Sequence, residues 1–116
     1  MRRVVVTGMG IVSSIGNTTQ EVLASLGEGK SGIGPLTRFD ATGFETRIAA
    51  EVKNFNPESY IDKKEIKKMD LFIQYALGAT KEALDDSQLK ITPENAEQVG
   101  VIVGTGLGGL PTIEKY

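Results

Sequence analysis

The sequence predicts an α/β fold. Two β-branched runs, Arg3 to Thr7 and Val99 to Val103, lack the polar alternation of a half-exposed strand, which suits strands buried on both faces of a parallel sheet. Each runs into a glycine-rich turn, Gly8-Met9-Gly10 in one case and Gly104-Thr105-Gly106-Leu107-Gly108-Gly109 in the other. Between them lies a long segment whose apolar residues recur every three or four positions, the period of a helix.

The elements follow in chain order. Arg3 to Thr7 is the first strand. After a loop with Ser13, Ser14 and Gly16, Thr18 and Glu21 have capping-box spacing, Val22, Leu23 and Leu26 form an apolar side, and Gly27 suits the position just past a helix end. Gly27 to Asp40 carries too many glycines for a regular element, whereas Arg47 to Lys53 is a short strand candidate. Asn56-Pro57 marks a turn or a short helical start. Asp62 and Glu65 repeat the capping-box spacing ahead of a helix expected from about Lys63 to Ser87. Ile66, Met69, Ile73, Leu77, Thr80 and Leu84 make its stripe, and Phe72, Tyr75 and Ala76 add apolar surface on other sides, so its middle is expected to be buried nearly all round. Asn95 to Gln98 leads into the Val99 to Val103 strand, and Pro111 is placed as the first residue of a last helix.

Composition narrows the function. The 116 residues are 40% hydrophobic and 24% charged, as expected of one soluble domain or a piece of a larger one. With 13 Lys and Arg against 15 Asp and Glu, the formal charge is −2 and supplies no chain-wide attraction to nucleic acid or an anionic membrane. The absence of Cys and His excludes thiolate nucleophiles, disulfides, imidazole acid-base chemistry and the commonest zinc ligands from this chain. The amino-terminal residues lack the apolar region and cleavage site of a signal peptide, so the expected compartment is the cytoplasm.

Three motifs carry candidate chemistry. Ala24 to Ser31 fits a permissive phosphate-loop pattern ending in Gly29-Lys30-Ser31, but it leaves a helix instead of a strand. Gly104-x-Gly106-x-x-Gly109 follows a strand and precedes a helix, as a dinucleotide fingerprint does, but fits better a turn that needs positive φ or close packing. Lys63, Lys64, Lys67 and Lys68 crowd the start of the expected helix. At about 100° per residue, Lys64, Lys67 and Lys68 share one face opposite the apolar stripe, where the macrodipole is positive. Cations that break the local rule point to an acidic protein partner or a phosphate more than to a plain solvated face.

The residues resemble the elongating β-ketoacyl-acyl-carrier-protein synthases, type II above all. Arg2-Arg3-Val4-Val5-Val6-Thr7-Gly8-Met9-Gly10 is similar to that family's opening strand, and Lys30-Ser31-Gly32-Ile33 to the loop that follows. Lys68-Met69-Asp70-Leu71-Phe72-Ile73-Gln74-Tyr75 resembles its long helix, and Gly104 to Gly109 its later turn. The resemblance implies that residues 1–116 are an incomplete N-terminal portion of a thiolase-like αβαβα layered fold, a mixed sheet with packed helices. It further implies an acyltransferase of fatty-acid biosynthesis that condenses an acyl thioester with malonyl-carrier, using a Cys and two His that this chain lacks, so that the chain alone is inactive. By the same resemblance Lys64, Lys67 and Lys68 dock the acyl carrier protein with its acyl or malonyl phosphopantetheine, and Leu107 borders the acyl pocket. The full-length protein is then a homodimer with no cofactor, metal, nucleic-acid or membrane partner. Two other readings stand beside this one: a dinucleotide-binding oxidoreductase fragment built on the Gly104 turn, and a non-catalytic domain that binds an acidic partner.

Overall fold

Residues 71 to 87 form the helix along which the other segments are arranged; the computed structural model describes residues 1–116 throughout. In chain order the elements are α1 (Thr19–Gly27), β1 (Ile33–Pro35), β2 (Ile48–Ala50), α2 (Lys63–Ile66), α3 (Leu71–Ser87) and α4 (Leu110–Lys115), with 3₁₀ turns at Pro57–Ser59 and Ala96–Gln98.

The start of α1 forms much as the sequence expects. Thr18 Oγ1 accepts the Glu21 N–H at 3.2 Å, and the Glu21 carboxylate accepts the Asn17 N–H at 2.7 Å, one residue upstream of the usual reciprocal bond. Its far end is shifted. Gly27 is still helical, and Gly29 takes the left-handed position at φ 65°. The Gly29 N–H reaches Leu26 O at 3.1 Å and the Lys30 N–H reaches Ser25 O at 2.9 Å, the pair of bonds that closes a Schellman motif.

The helix expected from Lys63 to Ser87 is broken. α2 is a single turn, the chain bends through Lys67 to Met69, and Asp70 is extended (φ −67°, ψ 157°) before α3 begins. Carbonyls freed by a break need donors, and Gln74 supplies them: its amide donates to Met69 O at 2.9 Å and to Ile66 O at 3.4 Å from a buried position. The second capping box does not form either. Asp62 makes no side-chain cap bond, and the Glu65 carboxylate is taken by Lys68.

Asn56 caps the Pro57 turn as its sequence predicts, accepting the Glu58 N–H at 3.2 Å. Phe55 stacks on Tyr60 (5.8 Å between centroids) and meets Tyr75 of α3 edge-on at 5.0 Å. Gly78 lets this cluster close on α3, since a Cβ there would lie 2.9 Å from the Phe55 ring. The aromatic contact ties residues 55 to 60, and hence the start of α2, to the long helix.

The sheet is smaller than expected. β1 and β2 form an antiparallel pair with Ile33 opposite Ala50 and Pro35 opposite Ile48. β2 falls inside the predicted Arg47 to Lys53 strand, whereas β1 lies in the stretch read as irregular. Pairing with a partner outweighs its glycines, and Pro35 is tolerated because both strands of a two-stranded ribbon are edges. Neither valine-rich run joins a ladder: Val4 is 95% exposed and Ile102 99%. A strand covered on both faces needs neighbours on two edges and layers on two sides, and these residues provide only α3. Buried residues are accordingly few: Val22, Ser25, Gly32, Gln74 and Gly78. The surface of 9774 Å² compares with about 6,100 Å² for a closed monomer of this mass. The radius of gyration is 17.2 Å, where about 13 Å is usual at this length.

Candidate functional site

Lys63, Lys64, Lys67 and Lys68 are all exposed, as the sequence suggests, but they do not share one face of a long helix. Lys63 and Lys64 lie in α2, Lys67 is its C-cap, and Lys68 sits in the bend. The conflict with the macrodipole therefore disappears, because α3 starts beyond all four and has no lysine in its first turn. Two of the ammonium groups are paired within the chain: Lys63 Nζ lies 3.3 Å from Glu58 Oε1, and Lys68 Nζ 2.7 Å from Glu65 Oε1. Lys64 and Lys67 make no ion pair.

Directly after the lysine bend, Met69 and Asp70 form one wall of a cleft of about 560 Å³. Leu107, 76% exposed, stands across it with Gly108 and Leu110, while Phe72 and Tyr75 come from α3. Phe72 packs flat against Gly108, where a Cβ would lie 2.9 Å from the ring. Arg38 closes the rim by donating from Nη2 to the Tyr75 hydroxyl at 2.7 Å. Its loop is held by Glu51, which accepts the Thr37 hydroxyl at 2.7 Å and the Thr37 and Arg38 N–H groups at 3.1 Å. The Thr37 hydroxyl, then the Thr37 backbone, keep the Glu51 carboxyl below its ordinary range.

A dinucleotide would need its pyrophosphate at the start of α4. Asp70 occupies that place: its Oδ1 accepts the Thr112 hydroxyl at 2.6 Å, and its Oδ2 would lie 2.6 Å from a Cβ at Gly109. A carboxylate there repels a phosphate. Pro111 is the second residue of α4, not the first, and Gly109 at φ 71° makes the turn into it. In the phosphate-loop match, Gly29-Lys30-Ser31 forms the exit of α1, so no helix start faces a ligand.

The sequence singles out the lysines and Leu107 separately and Tyr75 only as apolar surface of a helix; it misses Arg38 and Glu51, and with them the contact of Arg38 with Tyr75. Those residues meet only through the hairpin and α3, and no local spacing signals it. Gln74 did leave a trace: a lone amide inside an apolar helical segment is the kind of residue that satisfies a broken backbone.

Residues 1–116 match the family model described as beta-ketoacyl synthase, N-terminal domain. The chain is 50% identical over 114 residues to the 3-oxoacyl-[acyl-carrier-protein] synthase 2 of Coxiella burnetii, covering 98% of this chain and 28% of that protein. It is 56% identical over 113 residues to the corresponding protein of Vibrio harveyi, covering 97% and 27%. Among solved structures, the ishigamide ketosynthase/chain length factor superposes with a TM-score of 0.70 at 44% identity, over 77% of this chain and 22% of that one. The likeness bears out the α/β, thiolase-like class, and the chain spans about a quarter of the length of the curated relatives it matches.

Proposed function

The chain belongs to the β-ketoacyl synthase family, and from that premise we propose that residues 1–116 are an incomplete N-terminal portion of a type II 3-oxoacyl-[acyl-carrier-protein] synthase. The complete enzyme is a cytoplasmic homodimer of fatty-acid biosynthesis. It accepts an acyl chain as a thioester and condenses it with malonyl-carrier, losing carbon dioxide and lengthening the chain by two carbons. This chain has no Cys and no His, so the nucleophile and the groups that assist decarboxylation come from other residues and the chain alone is inactive.

Its own contribution is recognition. Lys64, Lys67 and Lys68 meet the acidic face of the acyl carrier protein, and the cleft behind them receives the start of the acyl path, with Leu107 at its border. One observation carries this reading: Met69 and Asp70, which wall the cleft holding Leu107, directly follow the exposed Lys67-Lys68 bend. A carrier docked on the lysines thus stands beside a cleft whose lining includes Leu71, Phe72, Leu107 and Leu110. The unpaired valine-rich segments supply strands to the sheet of the whole enzyme.

Charge reversal tests the docking role. Lys64→Glu, Lys67→Glu and Lys68→Glu together, in the full-length enzyme, should weaken binding of acyl carrier protein at least about tenfold at low salt and flatten its salt dependence. Unchanged affinity at low salt would reject it.

A further inference from the structure

The lysine bend is neutral overall. From residue 58 to residue 70 its four lysines are matched by Glu58, Asp62, Glu65 and Asp70. These carboxylates are not equivalent. Asp70 is engaged by Thr112, and Asp62 makes no ion pair, whereas Glu58 and Glu65 lie on Lys63 and Lys68. All four of these paired side chains are largely solvent-exposed, with fractional exposures of 78% and 56% for Lys63 and Glu58, and 67% and 47% for Lys68 and Glu65.

We infer that Glu58 and Glu65 act as internal competitors for the acidic partner, so that Lys63 joins Lys64, Lys67 and Lys68 in a docking surface of two free and two masked lysines. This rests on the docking role proposed above. Lys64 and Lys67 have no internal partner and make the first contacts. Lys63 and Lys68 contribute only as the incoming carboxylates displace Glu58 and Glu65. The short tether of the Lys68 pair, three positions along the chain, means that Glu65 is always at hand to recapture its lysine.

The physical consequence concerns release. Exposed ion pairs are weak, so the internal competitors do not block docking; they subtract from it at every encounter and fill the lysines again as the partner leaves. An enzyme that must exchange one loaded carrier for another in each cycle gains from a surface that attracts quickly and holds briefly. Four unmasked ammonium groups would attract as well and hold longer.

The masking also ranks the lysines. Removal of Lys64 or Lys67 costs the whole of a contact, whereas removal of Lys68 costs only the excess of the partner's carboxylate over Glu65. Lys68 should therefore be less costly to remove than Lys64 or Lys67.

The test uses the full-length enzyme and purified acyl carrier protein, with affinity and dissociation rate measured at low and at high salt. Glu65→Gln and Glu58→Gln should each tighten binding by about 1.5- to 5-fold at low salt, mainly through slower dissociation, and the gain should vanish at high salt. Lys68→Gln should cost less affinity than Lys64→Gln. Glu65→Gln binding no tighter than the parent, or Lys68→Gln as damaging as Lys64→Gln, would overturn the inference. Lys64→Gln separates the two levels: if it too leaves affinity unchanged the docking role itself falls, and if it weakens binding while Glu65→Gln does nothing, only the masking falls.

Discussion

The two valine-rich runs look alike in sequence and behave differently in the fold. Both are exposed and unpaired, and both enter glycine-rich turns. The first turn is nonetheless fixed. Gly8 and Gly10 lie backbone to backbone against α3, and the Met9 and Ile11 N–H groups donate to Asp86 and Glu82 at 2.9 Å. The second turn is held only at its end, where Gly108 and Gly109 meet Phe72 and Asp70, while Gly104 and Gly106 face open space. Glycine therefore has two meanings here: in the first turn the missing Cβ is a packing requirement, and at Gly104 and Gly106 no neighbour within these residues requires it.

The largest expected effect comes from filling the first turn. A methyl group at Gly10 would be driven into the Ala79 carbonyl oxygen and lie 2.8 Å from the Ala83 nitrogen, and one at Gly8 would lie 2.6 Å from the Ser87 nitrogen. Backbone atoms of a helix cannot step aside, so Gly10→Ala should destabilise the full-length protein by about 1–3 kcal/mol. Gly106→Ala should change stability by no more than about 0.5 kcal/mol. Urea unfolding of the two variants measures the contrast. Equal losses would break the comparison, because another element would then have to pack on Gly106 as tightly as α3 packs on Gly10.

A smaller effect is expected from the carboxylates that hold the first turn. Glu82 is bidentate across two segments, accepting the Ile11 N–H with one oxygen and the Thr19 N–H at 2.6 Å with the other. It thereby links the opening run, the start of α1 and α3. Glu82→Ala should cost about 1–2 kcal/mol for the two charge-assisted bonds. Amide exchange at Ile11 and Thr19 should speed up, with no change at Val101 to Val103. Unaltered exchange at Ile11 would show that the glycine contact alone fixes the turn.

How much of this is legible in sequence follows from the range of each interaction. The Thr18 cap, the Asn56-Pro57 turn and the end of α3 at Ser87 depend on residues a few positions apart, and local pattern finds them. The break between α2 and α3 is hidden because Ile66, Met69 and Ile73 keep helical spacing across it. What accommodates the break is a side-chain amide at Gln74 that donates to the Ile66 and Met69 carbonyls the break frees. β1 is hidden because it exists only through its pairing with β2. The exposure of the lysines was legible and their common face was not, since the face presumed an unbroken helix. The meeting of Arg38 and its Glu51-held loop with Tyr75 was beyond reach, because only the folded hairpin brings them together.

The smallest predicted effect extends the same logic to the cleft rim, where Glu51 does for the Arg38 loop what Glu82 does for the opening run. Its bonds from the Thr37 hydroxyl and backbone favour the charged form and place its folded pKa below the ordinary 4.5. A depressed carboxylate contributes stability that is fully present above the unfolded value and is lost as the pH falls through the folded one. Protonation of Glu51 thus releases Thr37 and Arg38, and the guanidinium loses the anchor that keeps it beside the Tyr75 hydroxyl. Amide exchange at Thr37, corrected for its intrinsic pH dependence, should lose protection as the pH falls below 4.5 and through the lowered folded value. In Glu51→Gln the protection should be low and flat across that window, because an uncharged amide holds these donors less firmly. If parent and variant followed the same curve, the loop would be fixed by the pairing of Leu36 with Arg47 alone, and the rim would belong with the second turn, held only at its end, instead of the first.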